Sequence, residues 1–145
     1  MVTRKSSAQW QGPLNKGKGT VKLASGAFEG SYSFASRFEQ GTGTNPEELI
    51  GAAHAGCFSM ALAHGLAQAG YYPQNIQTTA SVTLDKVGEG FRITGILLDT
   101  IAEVDEINEE TFLEQAENAK NNCPVSLALA STEITLRAHL KNPTR

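Results

Sequence analysis

Apolar and polar positions alternate along the first third of the chain. The runs 8–12, 17–24 and 31–38 are short and set apart by Gly, Pro and Asn, and they predict three strands. In the third run Tyr32, Phe34 and Phe38 share one face. Arg37 falls on the other with Ser33 and Ala35, so it is expected on a strand. A turn at Gly41-Thr42-Gly43 follows, and then the period changes. Asn45 is a good N-cap, Pro46 suits the first helical position, and Glu48 stands three residues after the cap. Glu47 and Glu48 both complement the positive end of the helix dipole. The helix is expected to reach about Ala69 and to stop at Gly70.

From 49 to 69 this helix is apolar nearly all round and rich in Ala and Gly. Its length would span a bilayer. His54, His64, Gln68, the many alanines and the lack of a second span favour a helix buried inside protein, with no membrane involved. A chain of 145 residues has little material to surround it, so a second subunit is expected to help bury it. Strands are predicted at 76–85 and 91–103, joined near 87–90. The second is apolar on both faces around Ile96 and Leu98, which predicts a central strand. Asn108 opens another helix, with Phe112, Leu113, Ala116 and Ala119 inward and an end near Asn122. Cys123 and Pro124 read as the cap and first position of a short helix through Leu129. The run 133–140 is a last strand, with Ile134, Leu136, Ala138 and Leu140 on one face and His139 on the solvated one. No linker, repeat or low-complexity segment interrupts the chain. The expectation is one α+β domain over residues 1–145.

Composition excludes some functions. The chain is 40% hydrophobic and 19% charged, with a net charge of −3 and its basic residues scattered, so nucleic acid is not an expected partner. The first ten residues lack the apolar core of a secretory signal, and the expected compartment is the cytoplasm. Thiols there stay reduced, and a disulfide is more often catalytic than structural. Counting alone still favours two small core residues, because free Cys is among the most buried residue types.

Chemistry at Cys57 needs a thiolate, the nucleophilic form. A free thiol ionises near pH ~8.5, which leaves about 3% thiolate at pH 7. Burial favours the neutral thiol, and Cys57 lies well past the first helical turn, where the dipole acts. A cation is required, and Arg37 is a candidate because its fork can hold a carboxylate and a thiolate together. Glu47 falls roughly 80° from the Cys57 direction on the helix, whereas Glu48 lies on the opposite face and serves the cap. Ten residues rise about 15 Å, so either Arg37 bridges Glu47 and Cys57 or the helix breaks, with Gly51 the candidate break. Cys123, at the start of a short helix, stands where an anion is favoured. On these grounds either cysteine is eligible to attack first. A rival places a metal on His54, Cys57, His64 and Cys123, without any paired short-spacing motif to support it.

One further feature changes the picture. Arg37-Phe38-Glu39, the run from Gly43 through Glu47, His54 and Cys57 to Leu62, Leu84-Asp85-Lys86-Val87 with Gly90-Phe91, and Lys120-Asn121-Asn122-Cys123-Pro124-Val125-Ser126 resemble the osmotically inducible protein C (OsmC) family. The likeness covers nearly the whole chain and is closer to the OsmC branch than to the organic hydroperoxide resistance branch. It implies an OsmC-like fold of antiparallel sheets around a long buried central helix, in an intertwined homodimer with two sites at the interface. It implies a thiol peroxidase that prefers organic hydroperoxides to hydrogen peroxide and is regenerated by an external dithiol. Neither cofactor nor metal is needed. By the same resemblance Cys57 is the peroxidatic cysteine, Cys123 the resolving one, Arg37 the stabiliser of thiolate and peroxide, and Glu47 the orienter of Arg37. Phe58 and Met60 would receive an alkyl group. The departures are Gly56, where Ala is frequent in the family, and an ordinary C-terminal tail. A dimeric stress-associated protein that binds a small apolar ligand is the non-enzymatic alternative.

Overall fold

The computed structural model describes residues 1–141, so the C-terminal tail beyond Lys141 lies outside the described residues. The chain divides into two compact units, residues 1–49 and 50–145.

The first unit holds strands β1 (Ser6–Gln11), β2 (Lys18–Leu23) and β3 (Glu29–Tyr32), paired antiparallel in the order β1-β2-β3. Gly19 on β2 pairs with Trp10 on one side and Tyr32 on the other. The two rings close over it at 5.3 Å between centroids. A Cβ there would lie 2.5 Å from the Tyr32 ring and 2.6 Å from the Trp10 ring, so the sheet needs a glycine at this crossing.

The third predicted strand is cut short. Helix α1 (Phe34–Phe38) follows β3, so Arg37 sits in the last turn of a helix and not on a strand. Ser33 and Ser36 decide this. The Ser36 N–H donates to Ser33 Oγ at 3.1 Å, and the Ser33 N–H donates to Ser36 Oγ at 2.8 Å. The reciprocal pair satisfies two helix-start donors that a strand would leave to a neighbour. Phe34 and Phe38 do share a face, with ring centroids 4.9 Å apart, because a spacing of four suits both periods.

Helix α2 (Pro46–Gln68) begins as expected, with the Glu48 N–H donating to Asn45 Oδ1 at 2.8 Å. It runs without a break at Gly51. It ends at Gly70, whose φ of +93° is one a side chain would resist, and the Tyr71 N–H reaches back to the Leu66 carbonyl at 2.9 Å. By length and composition α2 is apolar enough to cross a membrane. Beyond its first turn only one stripe of it is buried in this chain: Gly51, His54, Phe58, Leu62 and Leu66. Ala52, Ala53, Gly56, Met60 and His64 are exposed in the single chain, on a helix that a second subunit was expected to help bury.

The second unit packs that stripe against a sheet of β4 (Pro73–Val87), β5 (Gly90–Val104) and β6 (Glu133–Leu140), with β5 central as predicted. β4 and β5 form a long hairpin, closed by Gly88 and Glu89, with Gly88 at φ +63°. β5 buries Ile96, Leu98, Thr100, Ala102 and Val104 on one face. The other face, with Leu97 half-buried and Ile101 exposed, is less covered than an apolar run on both faces suggests. β6 runs parallel to β5, so this sheet is mixed and not purely antiparallel. The reason is the crossover: α3 (Glu109–Asn122) and α4 (Pro124–Ala128) fill the return from β5 to β6, as a parallel pair requires. α3 is capped by Asn108 Oδ1, which accepts from the Thr111 N–H at 2.8 Å. Phe112, Ala116 and Ala119 face the core, but Leu113 is exposed, against expectation.

Candidate active site

The first unit brings Arg37 and Glu47 together. Ser36 Oγ donates to the Thr44 carbonyl at 2.7 Å, and Asn45 Nδ2 donates to the Ser36 carbonyl at 3.0 Å. These ties hold the end of α1 against the start of α2. Arg37 in the last turn of α1 then meets Glu47 in the first turn of α2. Arg37 Nε donates to Glu47 Oε1 at 3.1 Å and Nη2 donates to Oε2 at 2.9 Å. The fork is bidentate, which fixes the guanidinium plane as well as its position. Glu47 is buried and Arg37 partly open, with the Phe38 ring 5.3 Å from the guanidinium carbon. A concavity of about 430 Å³ beside Arg37 is walled by Trp10, Tyr32, Phe34 and Phe38.

The second unit assembles the sulfurs. Cys57 is half-buried in the middle of α2 and Cys123 is buried between α3 and α4; both are free thiols. The fold makes them neighbours, close enough for the Cys123 thiol to act on the titration of Cys57. Burial pushes the Cys57 thiol above its ordinary value. The backbone N–H of Val125 pulls it down in part, and the Cys123 thiol adds to the rise. Cys123 ends α3, its N–H donating to the Ala119 carbonyl at 3.0 Å, and caps α4, its Sγ accepting from the Ser126 N–H at 3.4 Å. Pro124 at the first helical position fits this junction because the missing N–H is not needed there. An open cleft of about 390 Å³ lined by Ala61, His64, Gly65, Gln115 and Pro124 reaches Cys123.

The expected alkyl-binding pair divides. Phe58 is a fully buried core residue, whereas Met60 is 76% exposed. His64 is exposed, and His54 is buried with its Nε2 2.7 Å from Ser126 Oγ. Among the described residues no group of three or more His, Cys, Asp or Glu gathers closely enough to hold a metal ion. The sequence reading missed the role of Ser126. Its only local signal was its place two residues after Pro124, where an N–H meets the capping side chain.

Residues 39–138 match the family described as OsmC-like protein. The chain belongs to the OsmC family. It is 50% identical over 142 residues to a protein named Peroxiredoxin OsmC from Escherichia coli (strain K12), an alignment that covers 97% of this chain and 99% of the relative. Among solved structures, an OsmC-like protein of unknown function from Vibrio cholerae superposes with a TM-score of 0.75 at 16% identity, covering 95% of this chain and 99% of the other. An organic hydroperoxide resistance protein OsmC from Legionella pneumophila gives 0.70 at 23% identity, covering 98% and 100%. These two share the OsmC fold with this chain.

Proposed function

We propose that Cys57 and Cys123 carry out a two-thiol reduction of organic hydroperoxides. The chain is a peroxidase. That class follows from its family and from half identity, over nearly all of both chains, to a protein named as a peroxiredoxin. The observation that supports the two-thiol route is the meeting of both cysteines' thiols in the second unit, although they lie on different helices far apart in sequence.

The proposed cycle balances without metal or cofactor. The Cys57 thiolate attacks the distal peroxide oxygen, the O–O bond breaks, and the alkoxide leaves and takes a proton to become an alcohol. Cys57 is left as a sulfenic acid. The Cys123 sulfur attacks it, water departs, and a Cys57–Cys123 disulfide remains. An external dithiol reduces that disulfide, and hydrogen peroxide is the poorer substrate. Arg37 supplies the cation for the Cys57 thiolate. Glu47 orients Arg37, a role supported by the bidentate fork. The exposed apolar face of α2, with Ala52, Ala53, Gly56 and Met60, supports a homodimer that covers it. A cytoplasmic setting, in which both thiols start reduced, completes the reading.

A peroxidase assay with a dithiol present, comparing cumene hydroperoxide with hydrogen peroxide, tests the substrate claim. Faster turnover of the alkyl peroxide is expected. Equal or inverted rates overturn the preference. Cys57→Ser is expected to abolish turnover, and turnover that survives it removes Cys57 from the attacking role.

A further inference from the structure

His54 is fully buried on the core-facing stripe of α2, and it has one partner where a buried imidazole wants two. Its Nε2 lies 2.7 Å from Ser126 Oγ. Its Nδ1 has no hydrogen-bond partner among the described residues. Ser126 is itself buried, 4% exposed. Cys123 Sγ donates to Ser126 Oγ at 3.1 Å, and the Ser126 N–H donates back to the same sulfur at 3.4 Å. Imidazole, hydroxyl and thiol thus form an unbroken line inside the core, and the line ends at the sulfur that adjoins Cys57.

Stability does not explain this line. A buried polar network adds most when every member is satisfied, and a half-satisfied one is worse than apolar packing. The open ring nitrogen is a cost the fold retains. The line also has two consistent proton arrangements. In one, Cys123 donates to Ser126 and Ser126 donates to Nε2. In the other, Nε2 donates to Ser126, and Ser126 donates to a Cys123 sulfur that has lost its proton. Passing between them moves one proton from sulfur to ring without moving a heavy atom.

We propose that Ser126 and His54 relay the proton of Cys123 during disulfide formation. The inference rests on the reading of Cys57 as the attacking thiol and Cys123 as the resolving one. The Cys123 S–H bond breaks, and its proton passes through the Ser126 hydroxyl to His54 Nε2. The sulfur's electron pair forms the S–S bond to Cys57 while the Cys57 S–O bond breaks. The departing hydroxide takes a proton back from the imidazolium and leaves as water. Cys57 is reduced and Cys123 oxidised by one unit each, and His54 returns to its starting state. Burial disfavours the charged ring, which keeps His54 a neutral acceptor between turnovers. Ser126 touches the reacting sulfur. His54 acts through Ser126 and is a positioning residue.

The test isolates attack by Cys123 from any peroxide chemistry. Reduced protein is mixed in stopped flow with 5,5′-dithiobis(2-nitrobenzoate). Cys57 releases one nitrothiobenzoate in a phase that depends on reagent concentration. Cys123 then attacks the mixed disulfide on Cys57 and releases the second in a phase that does not. His54→Gln keeps a hydrogen bond to Ser126 but accepts no proton, and Ser126→Ala removes the bridge. Each is expected to slow the second phase, relative to the first, by roughly tenfold or more, as loss of a general base does. Ser126→Thr, which retains the hydroxyl, is expected to recover most of the ratio. A second phase at the wild-type rate in either His54→Gln or Ser126→Ala overturns the relay. So does a fall of both phases together with the melting midpoint, which marks a structural role only. Mass mapping of the first mixed disulfide separates the underlying reading: label found first on Cys123 overturns the order of attack, and the relay with it.

Discussion

Burial holds the Cys57 thiol in its neutral, weakly nucleophilic form, and on the proposed reading Arg37 makes up that deficit. An ordinary thiol, near ~8.5, is about 3% thiolate at pH 7, and burial together with Cys123 pushes Cys57 higher still. The Val125 N–H offsets only part of the rise. A guanidinium beside the sulfur lowers such an acid by about 1–3 units, and each unit raises the ionised fraction about tenfold until ionisation is complete. Arg37→Ala is therefore expected to slow attack by Cys57 at pH 7 by about one to two orders of magnitude. The deficit should narrow as pH rises and the thiol ionises unaided. Arg37→Lys should restore only part of the rate. The arginine gives Nε and Nη2 to Glu47 and keeps further N–H donors in the same plane, which a single ammonium cannot reproduce. The assay is iodoacetamide alkylation against pH in a Cys123→Ser background, so that only Cys57 reports. Superimposable profiles with and without the Arg37 guanidinium would refute the reasoning and assign the cation's role elsewhere.

Gly19→Ala places a Cβ 2.5 Å from the Tyr32 ring, and the strain should destabilise the first unit by about 1–3 kcal/mol in a urea melt; an unchanged midpoint would show that the rings move aside freely. His54 is held neutral by burial, below its ordinary 6.5. Its contribution to stability is complete above pH 6.5 and is lost as pH falls, because the unfolded chain then takes up a proton that the folded one refuses, at up to about 1.4 kcal/mol per pH unit. His54→Gln should flatten that part of the stability–pH curve, and an unaltered slope would contradict the assignment. In sedimentation at micromolar concentration the chain should run as a dimer, and a folded monomer would contradict the proposed cover for the exposed face of α2.

Elements with strong local punctuation were legible from sequence. Asn45, Pro46 and Gly70 marked both ends of α2, and Asn108 marked the start of α3. Cys123 and Pro124 marked the junction into α4. α1 was misread because Phe34 and Phe38, four apart, satisfy a period of two as well as one of 3.6, and the Ser33–Ser36 pair lacks the usual glutamate. The parallel direction of β6 was hidden because alternation along a strand carries no sign of direction. The site was legible only in part. The role of Glu47 as holder of Arg37 came from family resemblance; geometry alone suggested a bridge without fixing its form. His54 and Ser126 stand 72 positions apart, and only the packing of α4 on α2 brings them together. Leu113 was assigned inward from periodicity, and a helix of this length shows the core a narrower stripe than that.

The most direct test of the account is to map the cysteines after one equivalent of cumene hydroperoxide. Reduced protein is oxidised, alkylated, digested and read by mass spectrometry. The account predicts a disulfide joining Cys57 to Cys123 within one chain, and, in Cys123→Ser, a dimedone-trapped sulfenic acid on Cys57. Peroxide consumed while both cysteines stay alkylatable, or a sulfenic acid trapped on Cys123 with Cys57 untouched, would contradict it.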